Sequence, residues 1–132
     1  MNAKKRILLA EDDPSIMKTT KFRLEHEGFD VVTAADGEAA LQEAGAVPIH
    51  LVLLDIKLPK LSGYEVCRRL KDNKATAKIP VLIFTASEGQ MKYLANRCIE
   101  VGAFDWLKKP FRTVELMDKI HRALAEEEGR NG

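Results

Sequence analysis

Five short apolar runs punctuate the chain: Arg6–Ala10, Asp30–Ala34, Leu51–Leu54, Val81–Phe84 and Phe104–Leu107. Three are dense in Val, Ile and Leu with little alternation, the pattern of strands covered on both faces in a parallel sheet. The longer segments between them carry apolar residues at helical spacing. Pro14, directly after Asp13, suits a first helical turn, where proline's missing amide costs nothing. Ile16, Thr20 and Leu24 recur every four residues and predict an inward face, with Gly28 as the stop. Asp36-Gly37 makes a turn before a second helix marked by Ala40, Leu41 and Ala44. Ser62, with Glu65 three residues on, predicts a capping box, and Val66, Cys67 and Leu70 face inward from that third helix. A fourth helix opens at Ser87 or Glu88 and runs to Gly102. The fifth carries Leu116, Met117, Ile120 and Leu124 at helical spacing, then frays into a charged tail over 125–132.

Strand and helix thus alternate five times. This predicts an α/β fold: a doubly wound (βα)5 sandwich with helices on both faces of a five-stranded parallel sheet. Strand order 2-1-3-4-5 is a common solution for five units, and its crevice lies at the C-terminal ends of strands 1 and 3. A length of 132 residues suits one domain over 1–132, with its core over about 5–124. No linker, repeat or second domain is read.

Composition narrows the function classes. There are 21 basic and 20 acidic side chains, a net charge of +1, whereas nucleic-acid binders are commonly basic. The two cysteines, Cys67 and Cys98, form no C-x-x-C pair, so zinc and redox motifs are absent. The N-terminal apolar run is too short for a signal-peptide core, and no stretch approaches a membrane span. These features predict a cytoplasmic protein. His26, His50 and His121 lack ligand spacing and read as structural or solvated. Lys71, Lys74 and Lys78 read as a solvated basic face.

The chemistry falls where the crevice belongs. Glu11, Asp12 and Asp13 follow strand 1, and Asp55 follows strand 3. If those strands are neighbours, the carboxylates converge and repel, and a hard divalent cation with oxygen ligands offsets the repulsion. Asp13 doubles as a helix cap. Thr85 follows strand 4, and Lys109 follows strand 5. A hydroxyl and an ammonium both bind phosphoryl oxygens, so carboxylate nucleophile, metal, hydroxyl and lysine form a kit for phosphoryl transfer. A cis Lys109–Pro110 peptide would aim the lysine inward.

At these points the chain resembles the receiver domains of bacterial two-component response regulators. The motifs are Ile7-Leu8-Leu9-Ala10-Glu11-Asp12-Asp13-Pro14, Leu53-Leu54-Asp55-Ile56-Lys57-Leu58-Pro59 with Gly63, Phe84-Thr85-Ala86, and Lys109-Pro110-Phe111. One alone is weak; four in order, each after its own strand, are specific. The resemblance spans about Lys5 to Leu124 and implies a flavodoxin-like fold. It implies Asp55 as phosphoacceptor, with Thr85 and Lys109 contacting phosphoryl oxygens. It implies Mg2+, for which Mn2+ can substitute, held by Asp12, Asp55, the backbone carbonyl of Lys57 and, through water, Glu11. Thr85 and Trp106 are implied as switch residues, with helix 4, strand 5 and helix 5 as the readout face.

Implied partners are a sensor histidine kinase or histidine phosphotransfer protein, and a downstream protein or output domain. No direct contact with nucleic acid or membrane is implied; the chain would be a monomer or a phosphorylation-dependent dimer, without turnover on an external substrate. Three departures from the family's pattern involve four positions. Trp106 is bulkier than the usual Tyr or Phe, Lys57 can overhang the phosphoryl group, and Lys60 and Ser62 replace the commoner Gly and Asp.

Other classes fit less well. Aspartate-nucleophile phosphatases place a second Asp two residues after the first, where this chain has Lys57. A flavodoxin-like cofactor binder needs a phosphate cradle, and the acidic Glu11-Asp12-Asp13-Pro14 turn lacks glycine. A degenerate receiver, acting as a phosphorylation-independent interaction module, would have lost key groups that are all present here.

Overall fold

The computed structural model describes residues 4–85 and 91–131. Strands and helices alternate as β1 (Arg6–Ala10), α1 (Pro14–His26), β2 (Asp30–Ala34), α2 (Gly37–Ala46), β3 (Leu51–Asp55), α3 (Gly63–Asp72), β4 (Val81–Thr85), α4 (Met91–Val101), β5 (Asp105–Lys108) and α5 (Thr113–Asn131). The five strands form one parallel sheet in the order β2-β1-β3-β4-β5, as the alternation predicts.

Each strand sends alternate side chains to opposite layers. Leu8, Ala10, Val52, Leu54, Val81 and Ile83 pack with Ala40, Ala44, Val66, Cys67, Leu70 and Cys98 of α2, α3 and α4. Ile7, Leu9, Leu51, Leu53, Leu82 and Phe84 pack with Leu24 of α1 and Leu116, Met117 and Ile120 of α5. Burial on both faces explains the near-continuous apolar runs. At roughly 2 kcal/mol for a fully buried aliphatic side chain, these two layers are the main favourable term in folding.

The helix starts are fixed by short polar side chains. The Asp13 carboxylate accepts from the amides of Ser15 and Ile16 at 2.9 and 3.2 Å, and Asp36 accepts from Ala39 at 2.7 Å. Ser62 Oγ accepts from the Glu65 amide at 3.2 Å. The predicted reciprocal bond of a capping box is replaced: the Glu65 carboxylate turns to Arg68 and Arg69 instead. Gly28, with φ of 96°, follows α1 in the left-handed conformation that glycine tolerates best.

Four other expectations need correction. Ile16 is 36% exposed, while Met17, Thr20 and Leu24 face the core. A helix of 3.6 residues per turn keeps an i, i+3, i+7 line inward better than a strict i+4 line. β5 begins at Asp105 rather than Phe104, because the ladder with β4 starts at the Leu82–Asp105 pair. α5 continues to Asn131 rather than fraying after Leu124, consistent with Ala125 and the glutamates being strong helix formers. Lys71 is no solvated patch residue, since its ammonium donates to the carbonyls of Ala77 and Ile79 at 3.0 and 2.5 Å. Lys74 and Lys78 remain exposed. The expected start of the fourth helix at Ser87 or Glu88 lies outside the described residues, as does Ala86.

Candidate functional site

Register brings the candidate residues to one edge of the sheet. Ala10, the last residue of β1, sits beside Leu54, so Glu11 and Asp12 leave β1 next to Asp55, the last residue of β3. Asp55 pairs with Phe84, and Thr85 pairs with Lys108, so Thr85 and Lys109 leave β4 and β5 at the same edge. Carboxylate oxygens of Glu11, Asp12 and Asp55 lie within 4.8 Å of one another. The Lys109–Pro110 peptide is cis.

One ammonium stands among these carboxylates. Lys109 Nζ donates to Glu11 Oε1 at 2.6 Å and to Asp55 Oδ2 at 2.9 Å. It also lies 4.6 Å from the centre of the Phe84 ring, which Phe111 meets edge-on at 6.0 Å. Asp55 Oδ1 accepts from the Lys57 amide at 3.1 Å. Both oxygens of Asp55 therefore have a donor, one charged and one from the backbone of the following loop.

Burial differs sharply across the cluster. Glu11 is 1% exposed and Asp12 is exposed. Burial pushes the Glu11 carboxyl above its ordinary value, partly offset by the Lys109 ammonium and the Asp13 amide, which donates to Oε2 at 3.2 Å. Burial alone would lower the Lys109 pKa, but hydrogen bonds and charge from Asp55 and Glu11 outweigh it and raise the value. Lys109 thus stays cationic in a half-buried setting. Among the described residues, the three carboxylates share the Lys109 ammonium, and the donor set is all hard oxygen. That composition fits Mg2+.

Trp106 stands apart from this cluster. It lies half-buried on β5, packed against the layer of α2, α3 and α4, beside Ile83. Its carbonyl accepts from Lys119 Nζ at 2.8 Å, and the same ammonium pairs with Asp105 at 3.0 Å. A lysine of α5 therefore ties that helix to the edge strand carrying Trp106. Thr85 is buried at the end of β4, and its carbonyl accepts from the Lys109 amide at 2.7 Å.

Comparison with known proteins agrees with this geometry. Residues 7–121 match the response regulator receiver domain. The chain belongs to the response regulator receiver domain family. This receiver is 37% identical over 124 residues to the alkaline phosphatase synthesis transcriptional regulatory protein PhoP of Bacillus subtilis, covering 94% of this chain and 50% of that protein. The receiver spans about half the length of the curated relatives it matches. Its fold superposes on a CheY-like receiver domain protein of Methanospirillum hungatei with a TM-score of 0.88 at 29% identity, covering 97% of this chain and 99% of that one. A receiver domain of a sensor histidine kinase from Pseudomonas aeruginosa, with a magnesium ion coordinated in its active site cleft, gives a TM-score of 0.84 at 30% identity, covering 93% and 99%. Among the described residues no helix is long and apolar enough to cross a membrane.

Three features of this receiver escape sequence reasoning. The Lys109–Glu11 pair joins residues 98 apart, and only the strand order makes it visible. The Gly37 amide donates to the Pro59 carbonyl at 3.1 Å, tying α2 to the loop after Asp55. His50 Nδ1 accepts from the Arg6 amide at 3.0 Å, so this histidine caps the start of the β1–β3 ladder. Asp36-Gly37, Pro59 and Gly63 are turn signals that mark where such contacts are made, but not with what.

Proposed function

We propose that this receiver is a Mg2+-dependent phosphorylation switch with Asp55 as the acceptor. The carrying observation is the Asp55 carboxylate at the sheet edge, bound by Lys109 on one oxygen and grouped with Glu11 and Asp12. Asp12, Asp55, the Lys57 backbone carbonyl and, through water, Glu11 would hold the metal. When bound, Mg2+ supplies the charge neutralisation that lets an anionic donor approach three carboxylates.

In the reaction, an Asp55 oxygen attacks phosphorus as the phosphorus–nitrogen bond of a phosphohistidine breaks. The histidine nitrogen leaves with the bonding pair, and an acyl phosphate forms on Asp55. Lys109 then exchanges a carboxylate partner for a phosphoryl oxygen, and Thr85 donates its hydroxyl to another. The donor is a sensor histidine kinase or a histidine phosphotransfer protein. The added charge biases Thr85 and Trp106, and the α4-β5-α5 face passes the change to a downstream protein or output domain. The protein turns over no external substrate and contacts neither nucleic acid nor membrane through this domain. It works in the cytoplasm as a monomer or as a dimer formed on phosphorylation, with residues 1–132 acting as one unit.

Incubation with acetyl phosphate and Mg2+, followed by intact mass, tests this reading. One acid-stable, hydroxylamine-labile phosphoryl group is expected on the wild type. It should be lost in Asp55→Ala and with EDTA. Failure to modify with acetyl phosphate, a phosphoramidate and a kinase donor, in protein that binds Mg2+, would support a phosphorylation-independent interaction module instead.

A further inference from the structure

We infer that Gly37, at the start of α2, is a positioning residue for the Mg2+ site. This rests on the reading of Lys57 as a metal ligand. The loop from Ile56 to Ser62 joins Asp55 to α3 and carries the Lys57 amide that binds Asp55 Oδ1. It is closed on itself by the Gly63 amide, which donates to the Ile56 carbonyl at 2.8 Å. Its far side is held by α2. The Pro59 carbonyl accepts from both the Gly37 amide at 3.1 Å and the Leu61 amide at 2.8 Å. Lys60 Nζ adds a contact to Asp36 at 3.6 Å.

Gly37 has no conformational need to be glycine. Its φ lies outside the left-handed region, and alanine is the better helix former. The requirement is space. A Cβ at Gly37 would meet the Leu61 carbonyl oxygen at 2.5 Å and Leu61 Cβ at 2.6 Å. Those atoms belong to the loop itself, so the loop must move away from α2. Displacing it shifts Lys57, two residues after Asp55, together with the carbonyl assigned to the metal. Gly37 therefore acts on the metal through the loop, without touching it.

Gly45 in the same helix supplies the control, because a Cβ there meets nothing within 4 Å. Mg2+ binding to the full chain would be measured by calorimetry for wild type, Gly37→Ala, Gly45→Ala and Ala44→Gly. Ala44→Gly destabilises α2 without approaching the loop. The expected result is a loss of Mg2+ affinity of about tenfold in Gly37→Ala, the range seen when groups supporting metal ligands are disturbed. Gly45→Ala and Ala44→Gly should bind as wild type. Phosphorylation by acetyl phosphate in Gly37→Ala should need more Mg2+ but approach the wild-type rate at saturation. If Gly37→Ala does not fold by circular dichroism, Leu61→Gly removes the Cβ that lies against Gly37 and frees the loop from α2, and should show the same loss. Wild-type affinity in the folded Gly37→Ala, or in Leu61→Gly where it substitutes, overturns the inference. An equal loss in Ala44→Gly does so as well, by reducing the effect to helix stability. If wild type binds no Mg2+, or Asp12→Ala and Asp55→Ala bind it unchanged, the metal reading itself fails.

Discussion

A Cβ placed on Gly63 would lie 2.3 Å from the carbonyl oxygen of Asp55 and 2.9 Å from its carbonyl carbon. The first residue of α3 thus rests directly on the backbone of the proposed acceptor, with no room for even a methyl group. Backbone cannot swing aside as a long side chain does. Gly63→Ala should destabilise the fold by about 2 kcal/mol, in the range of overpacked interiors. It should also slow phosphorylation of Asp55 under conditions where the protein remains folded. Urea unfolding and an acetyl phosphate time course check both parts; wild-type values in each would mean the α3 start yields without disturbing Asp55.

Lys109 donates to both Glu11 and Asp55, so removing it acts in two directions. In Lys109→Met, Glu11 and Asp55 lose a shared donor, and apo stability should fall by on the order of 3 kcal/mol. Mg2+ should then stabilise the variant more than the wild type, because metal no longer competes with a lysine for the same oxygens. Phosphorylation should drop sharply. Thermal melts with and without Mg2+ decide the point, and a smaller Mg2+ shift in the variant than in wild type would contradict the competition.

Where the site lies and what its groups bond to differ in how far they can be read from the chain. Two-sided burial follows from the apolar runs, and the gathering of Glu11, Asp12, Asp55, Thr85 and Lys109 from their polar ends once the common strand order for five such units is taken. Those signals are local, and the sheet multiplies them by aligning strand ends. What each group bonds to is not local. Glu11 is buried because Lys109 reaches it across the sheet, and nothing in the acidic turn distinguishes it from exposed Asp12. Gly37 looks like half of an ordinary Asp-Gly turn, and its closeness to Leu61 depends on how α2 packs on a loop some twenty residues away. Ile16 misled for the opposite reason. It continues an apolar spacing on paper, but the drift of the helix gives its core position to Met17.

Lys57 contributes its amide to Asp55 while its side chain is exposed. Replacing it with alanine leaves the amide hydrogen bond intact and removes only the side-chain cation. If that side chain obstructs the water that hydrolyses the acyl phosphate, Lys57→Ala should lose its phosphoryl group several-fold faster, about 1 kcal/mol in barrier height. Decay of the phosphorylated form by intact mass measures this, and equal lifetimes would remove Lys57 from the account.

Lys60 has φ of 70°, in the left-handed region that costs a non-glycine residue roughly 1–2 kcal/mol. Its ion pair with Asp36 offsets little, since the lysine side chain is 57% exposed. Lys60→Gly relieves the strain but increases the freedom of the unfolded chain. The balance should favour the variant by about 0.5–1 kcal/mol in urea unfolding. A loss of stability would show that the Lys60–Asp36 contact matters more than backbone strain.

His50 links the sheet to pH. Its Nδ1 accepts from the Arg6 amide at 3.0 Å, so the bond requires that nitrogen to be unprotonated. Burial, with the charges of Lys5 and Arg6, holds its pKa below the ordinary 6.5. In the unfolded chain the imidazole takes up its proton at higher pH than in the folded one. Below about pH 6.5 the unfolded state binds more protons, so this residue's contribution to stability is present at neutral pH. It is lost progressively as pH falls from 6.5 toward the lower folded value. Asn in its place offers an uncharged oxygen acceptor where Nδ1 stood. The difference in unfolding free energy between wild type and His50→Asn should therefore move against the wild type from pH 7.5 to pH 5. Parallel curves across that range would mean that the Arg6 amide does not depend on a neutral imidazole.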